Sequence, residues 1–113
     1  MTLHRAAMLI AALAMSAAHA QAQTYPAKPV RIVLGFPPAT TVDVLVRPLA
    51  QKLGESLGQQ FVVENRPGAT GLIANEAVAR AAPDGYMLLG APGSSLTSGP
   101  QMHAKPPFDA LRD

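Results

Sequence analysis

Residues Val30 to Asp43 read Val-Arg-Ile-Val-Leu-Gly-Phe-Pro-Pro-Ala-Thr-Thr-Val-Asp. The first five are rich in β-branched residues and lie between Pro29 and Gly35, which predicts a buried strand. Phe36 to Asp43 then form a loop that opens a helical pattern. Thr40-Thr41-Val42-Asp43 has the form of a capping box with Asp in place of Glu. Thr40 is expected to accept from the Asp43 backbone N–H while the carboxylate reaches back. Beyond it, Val42, Leu45, Val46, Leu49, Leu53 and Leu57 recur at intervals of three and four. They predict one apolar stripe on a helix ending near Gly58. Pro48 falls inside this pattern. Either the helix kinks there or the regular helix starts there.

Working outward, Phe61-Val62-Val63 predicts a second strand. Ile73, Ala77, Val78 and Ala81 form a second helical stripe that starts at Gly71 and stops before Pro83. Asp84-Gly85 is a turn signal, and Tyr86-Met87-Leu88-Leu89 predicts a third strand. The order β-α-β-α-β with short connections predicts an α/β fold with three parallel strands and right-handed crossovers. From Gly90 to Pro107 the chain is rich in Gly, Ser and Pro, and no periodicity survives.

In a parallel sheet all strand-exit loops open at one edge. Here they are Phe36 to Thr41, Arg66 to Gly71 and Ala91 to Ser95. The first two end at predicted helix N-termini, where backbone N–H groups are unpaired and the dipole is positive. A carboxylate between them would be held without Arg or Lys. Thr70, Ser94 and Ser95 hydroxyls can add donors. Ordinary connection chemistry, with Gly and Pro serving turns, accounts for the same residues.

Composition narrows the classes. The chain has 113 residues, enough for one domain at most. Arg5, the apolar run Ala6 to Ala14 and the small-x-small site Ala18-His19-Ala20 form a leader signature, with Ala20-Gln21-Ala22 as a second cleavage site. The run is too short to span a bilayer, which needs about 20 residues. Cleavage removes Arg5 and leaves 8 basic and 7 acidic residues. The pI of about 9.4 is therefore no sign of nucleic-acid binding. Absence of Cys excludes disulfides and thiol catalysis. Ser94 and Ser95 follow a strand, as a hydrolase nucleophile would, but Gly-x-Ser-x-Gly is absent. His103 is the one His beyond the leader, and no phosphate-binding glycine motif occurs.

Phe36–Asp43, Asn65-Arg66-Pro67-Gly68-Ala69-Thr70-Gly71 and Pro83-Asp84-Gly85-Tyr86, in this order, resemble the periplasmic solute receptors of the tripartite tricarboxylate transporters, the Bug family. The resemblance runs from about Tyr25 to Asp113. Before it, the leader signature makes residues 1–22 an expected signal peptide, cleaved near Ala20 or Ala22. Residues 23–113 would be a partial N-terminal lobe, the first part of one lobe of a periplasmic-binding-protein-like (type II) fold. The implied function is periplasmic capture of a small carboxylate and delivery to two integral membrane subunits, with no cofactor, no nucleic acid and no bond made or broken. The implied ligand contacts are Phe36, Pro37, Pro38, Ala39, Thr40, Thr41 and Asp43, then Gly68, Ala69, Thr70 and Gly71, to which the sheet-edge reading adds Ser94 and Ser95 from the third loop. Asp43 also fits plain helix capping, and Arg66 fits a structural side chain. Two glycines usual in the family are Ala39 and Thr40 here, residues that resist positive φ and close backbone approach. A remnant without binding activity and a small serine hydrolase are the rival readings.

Overall fold

The computed structural model describes residues 24–113, and the leader signature lies outside them. Three strands form one parallel sheet: β1 (Val30–Leu34), β2 (Phe61–Asn65) and β3 (Met87–Gly90), in the order β2-β1-β3. Ile32 pairs with Val63 on one side and Leu88 on the other. The central strand is the most apolar, as a strand covered on both faces has to be. Val30, Val33 and Leu34 are fully buried.

Helix α1 (Thr41–Leu57) covers one face. Its Ala50 packs on Ile32 and Leu34, with Val42, Val46, Phe61 and Val63 around them. The helix runs unbroken through Pro48. Proline removes the donor to the Val44 carbonyl, and both residues are exposed to solvent. The predicted stripe is wider than the sheet it covers. Val42, Val46 and Leu53 turn inward, while Leu45, Leu49 and Leu57 stay exposed. Gly58 ends the helix in the left-handed conformation, φ 69°, and its N–H donates to the Gly54 carbonyl, as a C-terminal glycine does.

Helix α2 (Leu72–Ala79) lies on the opposite face, where Asn75 and Val78 approach Leu89. Its buried side is led by Leu72, Ala74 and Asn75, whereas Ile73 is half exposed. Ile73 instead covers Gly68 in the preceding loop. The sequence pattern missed this phase because an inward Asn breaks the apolar stripe.

Two short helical turns, α3 (Gly93–Leu96) and α4 (Ser98–Gln101), occupy the stretch that reads as structureless. After them Phe108 returns to the α2 face beside Leu89 and Leu96 and is 8% exposed. At the other end, the Tyr25 hydroxyl donates to the Gly85 carbonyl at 2.6 Å, and the Ala27 N–H donates to the Tyr86 hydroxyl at 2.9 Å. These bonds tie the lead-in segment to the turn before β3. Among the described residues no helix is long and apolar enough to cross a membrane.

Candidate functional site

The strand order places the crevice. The loop after β1 turns to the α1 face, and the loop after its neighbour β3 turns to the α2 face. Adjacent strands whose exits diverge leave a gap at their carboxyl ends, where open α/β sheets bind ligands. A cleft of about 290 Å³ lies there, lined by Phe36, Thr70, Ser94, Ser95, Ser98, Gly99 and Met102. All three predicted loops contribute to it.

The first loop is held from behind. Asp43 is 3% exposed. Its Oδ2 accepts from the Ala39 N–H at 2.9 Å and from Arg47 Nε at 2.9 Å. Its Oδ1 accepts from Arg47 Nη2 at 2.8 Å and from Asn65 Nδ2 at 3.0 Å. Asn65 Nδ2 also donates to the Phe36 carbonyl at 3.0 Å. The Arg47 guanidinium, then the Ala39 N–H, hold the Asp43 carboxyl well below the usual carboxylate range, and the Asn65 amide adds to this. Hydrogen bonding to Asp43 in turn raises the Arg47 pKa.

This geometry replaces the predicted capping box. Thr40 makes no side-chain cap bond, and its Oγ1 donates instead to the Pro37 carbonyl at 2.9 Å. The Asp43 carboxylate reaches one residue further back, to Ala39. The bidentate Arg47 fork explains the difference, since it fixes the carboxylate on the far side of the turn. Ala39 takes φ 65° despite its side chain, whereas Thr40 is extended at φ −77°.

The second loop carries consecutive left-handed residues: Ala69 at φ 47°, Thr70 at 55° and Gly71 at 92°. Ala39, Ala69 and Thr70 are the non-glycine residues with positive φ among those described, and all lie in these two loops. Arg66 is engaged by Glu64, Nε to Oε1 at 2.6 Å, and so is a structural side chain. In the third loop Ser95 is 5% exposed. Its Oγ donates to the Pro92 carbonyl at 2.9 Å, and its own carbonyl accepts from Asn75 Nδ2 at 3.0 Å. Thr70 Oγ1 donates to the Ala69 carbonyl and Ser98 Oγ to the Ser94 carbonyl. Ser94 alone among the cleft hydroxyls keeps its proton free of a partner among the described residues.

Of the thirteen residues singled out from the sequence, Phe36, Thr70, Ser94 and Ser95 line the cleft. Gly71 lies against the Phe36 ring and Ser95. Pro37, Pro38, Ala39, Thr40, Thr41, Asp43, Gly68 and Ala69 shape the loops without lining the cleft. Sequence reasoning missed Ser98, Gly99 and Met102, because nothing in Gly90–Pro107 marks a helical turn. It also missed the anchors Arg47 and Asn65. Asp43 and Arg47 at i and i+4 are a readable helix pair, but the Asn65 contact needs the fold. A larger concavity of about 680 Å³ lies between α3, α4 and the tail, beside Pro107 and Phe108. It gathers no strand-exit loop. Among the described residues no cluster of His, Asp or Glu could hold a metal ion.

Residues 45–113 match the family model described as the tripartite tricarboxylate transporter family receptor. Protein BugT of Bordetella pertussis is 43% identical over 98 residues, covering 86% of this chain and 30% of that protein. The structure resembles Rpa4515 of R. palustris, solved with adipate, at a TM-score of 0.75 and 31% identity over 79% of this chain and 30% of that one. It also resembles MatC of Rhodopseudomonas palustris with bound malate, at a TM-score of 0.61 and 31% identity over 73% of this chain and 29% of that one. The chain thus spans about 30% of the length of the relatives it matches. Its three-stranded parallel sheet is the corresponding part of a periplasmic-binding-protein-like fold. The matching proteins are receptors rather than enzymes.

Proposed function

The chain belongs to the tripartite tricarboxylate transporter receptor family, and from that premise we propose that it captures a small carboxylate at the crevice between β1 and β3. One observation carries this reading. The three strand-exit loops converge on a single cleft, at the place where divergent connections open an α/β sheet. Ser94 presents a free hydroxyl there. Neutral donors suffice for one carboxylate, since a charged acceptor roughly doubles the strength of each hydrogen bond.

Asp43, Arg47 and Asn65 then act as a brace that presets the first loop. The brace holds Ala39 in its positive-φ conformation, in which its N–H donates to Asp43 Oδ2. Capture and delivery to two integral membrane subunits is the activity proposed for the receptor, and residues 1–22 would direct it to the periplasm. The family's relatives support the first point and the leader signature the second.

The test is a heteronuclear NMR titration of the purified chain with adipate, malate and acetate, taken to millimolar concentration, with acetamide as the uncharged control. Shifts confined to Phe36, Thr70, Ser94 and their neighbours, produced by acids and not by the amide, are expected. Equal shifts with acetamide, or shifts only at the tail concavity, would sink the reading. Edman sequencing of periplasmic protein tests the leader, with Gln21 or Gln23 expected first and intact Met1 as the opposing result.

A further inference from the structure

Helix α2 buries a polar side chain where its stripe calls for an apolar one. Asn75 is 2% exposed. Its Nδ2 donates to the Ser95 carbonyl at 3.0 Å, while its Oδ1 is buried with no partner among the described residues. The orientation of the amide is dictated, since only its nitrogen can face a carbonyl oxygen. A buried acceptor without a donor costs at least as much as one neutral hydrogen bond contributes. For stability alone a leucine would serve as well here. Side chains that break local consistency in this way gather at functional sites, and the one bond that Asn75 makes leads to such a site.

The turn α3 carries Ser94 and Ser95 to the cleft. Most of its hydrogen bonds stay within its own neighbourhood. The Ser95 N–H and Oγ both donate to the Pro92 carbonyl, at 3.0 and 2.9 Å, and the Ser94 carbonyl accepts from Ser98 Oγ. Among the described residues, the Asn75 amide alone ties Gly93–Leu96 by a hydrogen bond to anything outside Pro92–Ser98. Behind the turn lies a cavity of about 240 Å³, lined by Asn75, Val78, Leu89, Leu96 and Phe108, which leaves the turn room to shift. The same helix also begins at the second loop. Gly71 directly precedes α2 and lies against Ser95 and the Phe36 ring. Asn75 stands about one helical turn further along. One helix therefore sets the second and third cleft walls in a common register.

We propose, resting on the carboxylate reading above, that Asn75 is a positioning residue for the third wall of the cleft. Its amide fixes the Ser95 carbonyl, and through the adjoining peptide it places the free Ser94 hydroxyl opposite the Thr70 loop.

The purified chain and two variants are titrated with adipate, followed by heteronuclear NMR, and each is melted in urea. Asn75→Leu removes both the bond and the unpaired oxygen, and the adjoining cavity takes the added bulk. Its urea midpoint is expected to match the native one or exceed it. Its adipate affinity should fall about five-fold, the equivalent of one neutral hydrogen bond. In the free variant the Ser94 and Ser95 amide resonances should move while that of Thr70 stays. A residue that serves packing alone would give the reverse, a lower midpoint with native affinity. Asn75→Asp keeps the shape and can donate to the Ser95 carbonyl only while protonated. Burial and the Asp113 carboxylate, which lines the same cavity, both favour the protonated form. This variant should match the native chain's adipate affinity at pH 6 and fall below it at pH 9, each compared at the same pH. If Asn75→Leu does not fold, Asn75→Asp carries the test alone.

Native affinity in Asn75→Leu would overturn the inference while leaving carboxylate capture intact. So would an Asn75→Asp chain as weak, relative to native, at pH 6 as at pH 9. Silence of the native cleft resonances toward adipate would overturn the carboxylate reading itself, and the inference with it.

Discussion

Gly35 and Gly71 cross so closely that a β-carbon on Gly35 would lie 2.5 Å from the Gly71 Cα. Backbone meets backbone at this point, and no side chain can move aside. The crossing joins the exit of β1 to the end of the second loop, so it fixes the spacing of two cleft walls. Gly35→Ala should therefore cost about 3 kcal/mol, the upper end of overpacking penalties. Gly93→Ala is the matched control, since nothing lies within 4 Å of its would-be β-carbon. Urea melts of the two variants check this, and a Gly35→Ala chain as stable as Gly93→Ala would disprove the close approach.

Acid should loosen the first loop by a predictable route. The folded-state pKa of Asp43 is depressed below its ordinary 3.8 by Arg47, Ala39 and Asn65. Its contribution is therefore fully present above the unfolded pKa and is lost as the pH falls through the folded one. Between neutral pH and about 5 the stability due to Asp43 should be flat. Below about 4 it should decline, as the unfolded chain takes up the proton first. Asp43→Asn should lower stability at neutral pH and flatten that acid limb. Denaturant midpoints from pH 7 to pH 2 provide the measurement, and parallel curves for the two chains would contradict the assignment.

The two positions where the family usually carries glycine should respond in opposite ways. Ala39 holds φ 65°, which costs an L-residue about 1–2 kcal/mol. Glycine removes that strain but frees the unfolded chain by about 0.4–1 kcal/mol. Ala39→Gly should thus stabilise by up to about 1.5 kcal/mol. Thr40 is extended and donates to the Pro37 carbonyl, so Thr40→Gly should destabilise by about 1 kcal/mol. Thermal melts of the single variants separate the effects.

The tail is needed to close the second face of the sheet. Phe108→Ala should cost about 3 kcal/mol, the lower end for losing a buried ring. Far-UV circular dichroism through a denaturant melt should show an earlier transition with the same native spectrum. An unchanged midpoint would mean that the ring contributes no packing there.

Strand and helix order was legible because β1, β2 and β3 are short β-branched or apolar runs bounded by Gly, Pro and turn residues. Each feeds a segment whose period is helical. The loops of the site were legible for the same reason, as strand exits in a parallel sheet share one edge. The brace behind them was not. Asn65 reads as the end of a strand, and only the pairing of Leu34 with Asn65 brings it to Asp43. Ala39 was misjudged by propensity alone, because the hydrogen bond to Asp43 overrides the resistance of an alanine to positive φ. The helical turns of Gly93–Gln101 carry Gly, Ser and Pro, which suppress every periodic signal, and so hid Met102 and Ser98.

The strand order has a consequence in time. The central strand is made first, and both of its edges stay bare until later segments arrive. β2 begins at Phe61 and β3 at Met87. Parallel neighbours cannot pair through a tight turn, and each needs a whole crossover between them. Among the described residues no hairpin nucleates the sheet, and such non-local pairing is slow. The chain therefore leaves the ribosome without a finished sheet until about residue 90.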